Sequence, residues 1–405
     1  MASISKTQQA YLSTRVLDIP LWAIYNMLPF ILIKDLDATP FQIAVILALK
    51  PIVSVISMYW SSLVNDRPDR LRLNIVFARL IGCSSFFLFP FVSSPWFFIA
   101  ASGIYMTLAV GAVPAWMEVL KLNLSDAKRK QTFAWGSAMG YLGGGILPIL
   151  FGWFMDSSQQ SWKWIFPVAA LISLSAIILQ MRIPTPNKSI KPQKQKSNQL
   201  LGPWISAYKL VKERSDFAKY QLGFMVIGGG LMLMQPALYV FFDEKLGLSY
   251  VEFAVALSLC KGVSYAIASP LWAKWMSGVD IFRFSSAVTS VACLFPILLM
   301  FSPQNIIWLY IAYIIYGITQ SGNELSWNMS GPLFSGNADS SQFTSVNVVS
   351  VGLRGLIFPA LGSILCSLTG SSVVLMMGCS CLLLATIIMV KFSAEEVYSL
   401  PENKV

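Results

Sequence analysis

The sequence predicts an all-α membrane protein: twelve transmembrane helices in two pseudo-symmetric six-helix bundles, with both termini cytoplasmic. Three observations predict it. Of 405 residues, 56% are hydrophobic and only 12% are charged, about half the charge of a soluble domain. Apolar runs of roughly 20 residues, enough to cross about 30 Å of hydrocarbon, recur along the whole chain. The basic residues gather in alternate loops.

Twelve runs qualify, near 14–33, 41–64, 73–93, 96–120, 133–155, 163–181, 219–241, 251–276, 282–301, 306–333, 343–368 and 372–392. Each is expected to be a helix, because an open strand would leave backbone groups unpaired in lipid. The first run is too long for the apolar core of a cleavable signal, so it reads as a span. Twelve crossings put both termini on one side. Of the 29 Lys and Arg, 22 fall on that side; the opposite loops hold only Lys34, Lys163 and Lys245. Basic loops stay in the cytoplasm. Topology therefore explains the net charge of +10, and nucleic acid is not an expected partner.

The longest loop, "RIPTPNKSIKPQKQKSNQLLGPW" (182–204), is basic and Pro-containing. It reads as a flexible linker with a short amphipathic lead into the next span. The expected division is 1–181, a linker at 182–218, and 219–405. The halves repeat. "DLDATPFQIAVILAL" (35–49) matches "KLGLSYVEFAVALSL" (245–259) at an offset of 210, and Gly111, Trp116, Leu142 and Pro148 match Gly322, Trp327, Leu353 and Pro359 at 211. Such a repeat with a linker between marks transporter folds.

Several chemistries are excluded. The chain has no histidine, which removes His-ligated metals, Ser-His triads and imidazole relays. Cys83, Cys260, Cys293, Cys366, Cys379 and Cys381 lie in apolar runs without metal-ligand spacing, and are expected to be buried free thiols. No G-x-x-x-x-G-K-[ST] occurs, so ATP is not the expected energy source. No nucleophile–base set suggests an enzyme, and no cofactor or metal is expected.

The stretch "LVNDRPDRLRL" (63–73) crowds Asp66, Arg67, Asp69, Arg70 and Arg72 between apolar runs. With the twelve spans, the repeat and the linker, it resembles the loop 2–3 signature of the major facilitator superfamily, G-x-L-x-D-R-x-G-R-[RK]. Asp66, Arg67 and Arg70 take the charged positions; Ser62 and Asp69 stand where glycines are usual. "PAWMEVLKLNLSDAKRK" (114–130), "GSAMGYLGGGILP" (136–148) and "SWKWIF" (161–166) resemble further stretches of the family, the last two leaning towards drug–proton antiporters.

The resemblance implies that Asp66, with Arg67 and Arg70, forms a conformational latch at the start of span 11. A carboxylate suits the unpaired N–H groups of a helix N-terminus. The resemblance also implies that spans 1, 4, 7 and 10 line a cavity, flanked by 2, 5, 8 and 11. Ionisable residues inside spans are functional candidates. By depth and span, Lys50, Lys261, Glu324 and Arg354 reach that cavity, with Asn26, Gln235 and Asn323 as polar neighbours and Trp116 and Trp327 as aromatic walls. Glu324 either couples protons beside Arg354 or simply pairs with it. Asp18 either pairs with Arg15 or faces the cavity as a second proton site. Arg79 and Glu118, on antiparallel neighbours, are expected to form a structural ion pair. Arg72 reads as a solvated turn residue. Gly136, Gly140 and Gly144, four residues apart, are expected to offer one close-packing face.

The expected function is secondary active transport of a small charged or amphiphilic organic solute by alternating access, coupled to protons, in a cytoplasmic membrane, by a monomer in contact with lipids. Two alternatives stay open. One is an uncoupled uniporter or organic-anion exchanger. The other is a non-transporting sensor or assembly scaffold of the same fold.

Overall fold

The computed structural model describes residues 5–65, 70–158, 160–184, 202–335 and 341–399. These residues are almost entirely helical. The helices are α1 (Lys6–Leu36), α2 (Pro40–Asn65), α3 (Leu71–Phe91), α4 (Pro95–Asn123), α5 (Asp126–Ser157), α6 (Trp162–Gln180), α7 (Gly202–Glu213), α8 (Ser215–Glu244), α9 (Tyr250–Met276), α10 (Ile281–Leu299), α11 (Ile307–Ser335), α12 (Ser341–Thr369) and α13 (Ser371–Ser399). The short α7 stands where the linker was expected to lead into the next span. Among the described residues, nine segments are long and apolar enough to cross a membrane: α1, α3, α4, α6, α8, α9, α10, residues 346–369 of α12 and 371–394 of α13. α2, α5 and α11 are helical too, at 26, 32 and 29 residues. Polar runs interrupt two of them: "DAKRKQ" opens α5 and "TQSGNE" sits within α11.

Four helices are not uniform, and one of them, α6, breaks at Ala176. α3 tightens to a 3₁₀ helix over Ser85–Phe91, where Pro90 removes a donor. α10 breaks at Cys293, three residues before Pro296. α9 contains a π-helical turn at Val255–Cys260.

The described chain forms two compact units. One gathers residues 1–42, 52–197 and 249–254; the other gathers 43–51, 198–248 and 255–405. In the first, α1 packs on α5 and α6, and α3 packs on α4. In the second, α8 packs on α12 and α13, and α10 on α11. The same pairings recur at the repeat offset, so the sequence repeat is also a packing repeat.

The first unit is centred on Tyr11, Ile75, Ala115, Trp116, Val119 and Leu120, all buried. Trp116 meets Tyr11 edge-on at 5.4 Å. It is therefore packed core rather than the wall of a cavity. The glycine stripe on α5 also differs from the expected one. Gly136 faces Tyr11 and Gly143 faces Ile19, each too close for a Cβ, whereas Gly140 and Gly144 have nothing within 4 Å. Seven residues make nearly two whole turns, so 136 and 143 share the face that meets α1, and 140 and 144 drift off it.

In the second unit α11 approaches α9 closely at Gly317. A Cβ on Gly317 would overlap both the Lys261 carbonyl oxygen and Ser264 Oγ. Backbone cannot retreat as a flexible side chain can. Gly317→Ala is expected to destabilise the protein by about 1–3 kcal/mol through overpacking. Gly140→Ala, in open space, should be neutral or slightly stabilising. Thermal unfolding of both variants in detergent checks the pair.

Candidate functional site

The ionisable residues of the spans fall into three groups. In the first unit, Asp18 of α1 and Arg79 of α3 form a bidentate ion pair; the second bond, Arg79 Nη2 to Asp18 Oδ2, is 2.8 Å. Ser173 of α6 completes it, donating to Asp18 at 2.6 Å and receiving from Arg79 at 2.6 Å. Arg79 also donates to the Ser173 carbonyl at 3.1 Å. The expected Arg79–Glu118 pair is corrected. Glu118 lies beside Lys121, 3.6 Å away on its own helix. The depth argument considered only the antiparallel neighbour α4, but α1 offers Asp18 at the right height. Nor does Asp18 pair with Arg15, which donates to the Tyr11 hydroxyl at 3.2 Å and lies over that ring. Asp18 is thus committed to three-helix packing, which removes the basis for an open proton site there.

The second group is Arg354 on α12. Its Nη1 donates to the Phe224 carbonyl at 2.9 Å, and its guanidinium lies 4.2 Å from the Phe224 ring. It is 9% exposed, and its Nε is buried without a hydrogen-bond partner among the described residues. Gly228 makes the room: a Cβ there would overlap the guanidinium. At the 211-residue offset, Arg354 is the counterpart of Gly143. One repeat puts bulk on α1 and glycine on α5; the other puts glycine on α8 and bulk on α12.

The third group joins α9, α11 and residue 50 of α2. The Lys261 ammonium lies 5.0 Å from the centre of the Tyr316 ring, which is itself stacked on Phe295 at 4.7 Å. Lys261 feels Lys50 as a repelling charge and Glu324 as an attracting one. Glu324 accepts from the Tyr265 hydroxyl at 2.8 Å. Among the described residues no ion pair joins Glu324 to Lys261 or to Arg354. The expected Glu324–Arg354 partnership is therefore corrected. Arg354 turns towards α8, whereas Glu324 faces α9.

Tyr316, Gln320, Glu324 and Trp327 are spaced four, four and three residues apart, one face of α11. Gln320 Oε1 and Trp327 Nε1 are buried and have no hydrogen-bond partner among the described residues, an acceptor and a donor on either side of Glu324. Asn323 and Gln235 are half-buried, while Asn26 and Lys50 are exposed. Tyr265, Tyr316 and Gln320 were missed from the sequence. The available signal was the four-residue spacing from Lys261 and Glu324.

Of the expected latch, Asp66 and Arg67 lie outside the described residues, and Arg70 is exposed at the start of α3. Arg72 is not merely solvated: it donates to the Met181 and Ile183 carbonyls, at 3.2 and 3.5 Å. These carbonyls lie just past the end of α6. The six cysteines are free, four buried and two, Cys260 and Cys381, half-buried. Among the described residues no cluster of metal-ligating side chains occurs.

The family model of the Major Facilitator Superfamily matches residues 11–339. The chain belongs to the major facilitator superfamily. Solved structures of similar fold include a POT family transporter in complex with 5-aminolevulinic acid (TM-score 0.76, 13% identity, 96% of each chain). Another is the nucleoside transporter NupG (TM-score 0.73, 13% identity, 98% of this chain and 100% of that one). A third is a bacterial homologue of the human lysosomal transporter Spinster (TM-score 0.64, 14% identity, 98% of each). At these identities the likeness is one of fold. No curated protein sequence matches. The superfamily member is thus a multi-pass membrane protein of transporter fold, and its charged groups are to be read against that fold.

Removing a carboxylate from a partly buried pair leaves the more buried cation, Arg79, without its counter-charge. In this superfamily member, Asp18→Asn should cost about 1–3 kcal/mol, and Asp18→Asn with Arg79→Gln should recover part of it. Glu118→Gln should change stability by less than about 0.5 kcal/mol, as for exposed pairs. Denaturation of the purified variants in detergent distinguishes the two carboxylates.

Proposed function

We propose that this superfamily member is a secondary transporter. It moves a small charged organic solute by alternating access, and Lys261 and Glu324 are the residues that meet solute and proton. In this reading the chain crosses a cytoplasmic membrane twelve times, as bundles 1–181 and 219–405 joined by 182–218, with both termini cytoplasmic. The lopsided distribution of Lys and Arg supports that topology.

One observation carries the mechanism. An ammonium and a carboxylate on adjacent helices are each held by a tyrosine instead of by each other. A salt bridge between them would neutralise both and leave little for a ligand. Held apart, Lys261 keeps its attraction for an anionic group, reinforced by Lys50. Glu324 keeps a carboxylate in electrostatic contact with Lys261. A solute anion that engages Lys261 competes with the Glu324 carboxylate for that cation. This replaces the Glu324–Arg354 exchange with one between Glu324 and Lys261. Gln320 and Trp327 supply an acceptor and a donor for the solute's neutral polar groups.

The neighbours suggest which solutes to try: nucleosides, after NupG, and small amino and carboxylic acids, after 5-aminolevulinic acid. The surplus positive charge favours the acids. Uptake into proteoliposomes, with and without a pH gradient, is the test. Lys261→Gln should lower solute uptake by about tenfold or more, a loss of binding read in KM. Glu324→Gln should abolish gradient-driven accumulation while leaving exchange intact. Full gradient dependence in Glu324→Gln would sink proton coupling through this residue and favour the anion-exchanger reading. No uptake or binding of any solute would favour the scaffold.

A further inference from the structure

The first turn of α9 is held differently from the rest of the helix. Ser249 and Glu252 form a reciprocal capping box: the Ser249 N–H donates to Glu252 Oε2 at 2.8 Å, and the Glu252 N–H donates to Ser249 Oγ at 3.1 Å. The same box opens α2, 210 residues earlier, with Thr39 and Gln42 at 2.9 and 3.3 Å. There the parallel stops. α2 has Pro40 at its first helical position, which has no N–H to satisfy. α9 has Tyr250 and Val251, whose N–H groups the box leaves unpaired. Both donate to the carboxylate of Asp156, one to each oxygen, at 2.9 Å.

Asp156 stands in the last turn of α5. One turn before it, Gly152 lets the backbone of α9 come close; a Cβ there would lie 2.8 Å from the Tyr250 carbonyl oxygen. Tyr250 also meets Phe30 edge-on at 5.5 Å and lies 5.1 Å from the Lys34 ammonium. Phe253 stacks on Phe30 at 4.5 Å. Residues 249–254 are therefore fastened to α1 and α5.

At residue 255 the helix changes. Val255–Cys260 is π-helical, and from Val255 onward the chain belongs to the second unit. Lys261 is the first residue beyond the π turn. A π turn carries an extra residue, and π turns are common at functional sites. Relaxing one to α-helix rotates the residues beyond it by about 100°.

We infer that Asp156 is a latch. Its carboxylate holds the first turn of α9 on α5, and the π turn at 255–260 is the joint through which release of that turn repositions Lys261. In the proposed topology this latch lies on the face opposite the termini. The latch itself rests on geometry alone; its link to transport rests on Lys261 contacting solute. Asp156 is a positioning residue, since it touches no solute.

Two measurements on the full-length protein in lipid nanodiscs test it, and neither needs a solute. The first is amide hydrogen exchange of residues 250–254. The second is the acylation rate of Lys261 by an amine-reactive anhydride, read by mass spectrometry. In Asp156→Ala the 250–254 amides should exchange at least about fivefold faster, as for a lost cap, and Lys261 acylation should change at least about twofold, with α13 unaltered. Gly152→Ala, a wedge under the same turn, should act in the same direction, and Ser157→Ala should do neither. If Asp156→Ala unfolds and α13 also accelerates, Asp156→Asn supplies the comparison with smaller expected changes. Unchanged exchange at 250–254 would overturn the latch. Faster exchange with constant Lys261 reactivity would overturn the joint. Absence of transport would remove the transporter reading and leave the latch to be judged by these rates.

Discussion

In hydrocarbon a guanidinium or a carboxylate finds no water, so each charge carried into a span must meet a partner from another helix. The Asp18–Arg79–Ser173 cluster shows that constraint most plainly. Three helices, α1, α3 and α6, are brought to one height because a bidentate pair and a serine must coincide there. Arg354 obeys the same constraint by another route. It has a backbone carbonyl and an aromatic face in place of a carboxylate, and it reaches them only because Gly228 leaves space. The helix packing of each unit is organised around where such groups can be satisfied.

The exceptions are then informative. Lys261 and Glu324 are close enough to interact yet remain separately held, and polar atoms of Gln320 and Trp327 flank them without partners among the described residues. Arg79 has a carboxylate and Arg354 a backbone carbonyl, whereas Lys261 and Glu324 each meet a tyrosine. A site that must accept and release a charged molecule needs that reserve, because a fully satisfied cluster has nothing to offer a ligand. The contrast between Asp18 and Glu324 separates a structural carboxylate from a functional candidate, although both looked alike as acids in apolar runs.

Much of the architecture was legible. Hydrophobic run length and the absence of charge place the helices, because lipid forbids the alternatives, although α1 and α5 begin about two turns before the apolar runs. The repeat was legible too, and it reappears as matched pairings of α1 with α5 and α8 with α12. The glycine stripe was misjudged because a four-residue period was read as one face, whereas contact with α1 follows the seven-residue step from Gly136 to Gly143. The pairing of Arg79 was misjudged because depth along an axis does not say which neighbour a side chain turns to.

The sequence by itself determined the class of protein, its helices, its family resemblance and the short list of ionisable residues within them. These depend on composition and on distances along one helix, which are written in the chain. Only the tertiary structure decided that Asp18 belongs to Arg79, that Arg354 lies over Gly228, that Glu324 faces Tyr265, and that Asp156 caps α9. Those outcomes depend on rotation of one helix about its axis relative to another. A twist of one residue, about 100°, exchanges one partner for the next, and no spacing within a single helix records it.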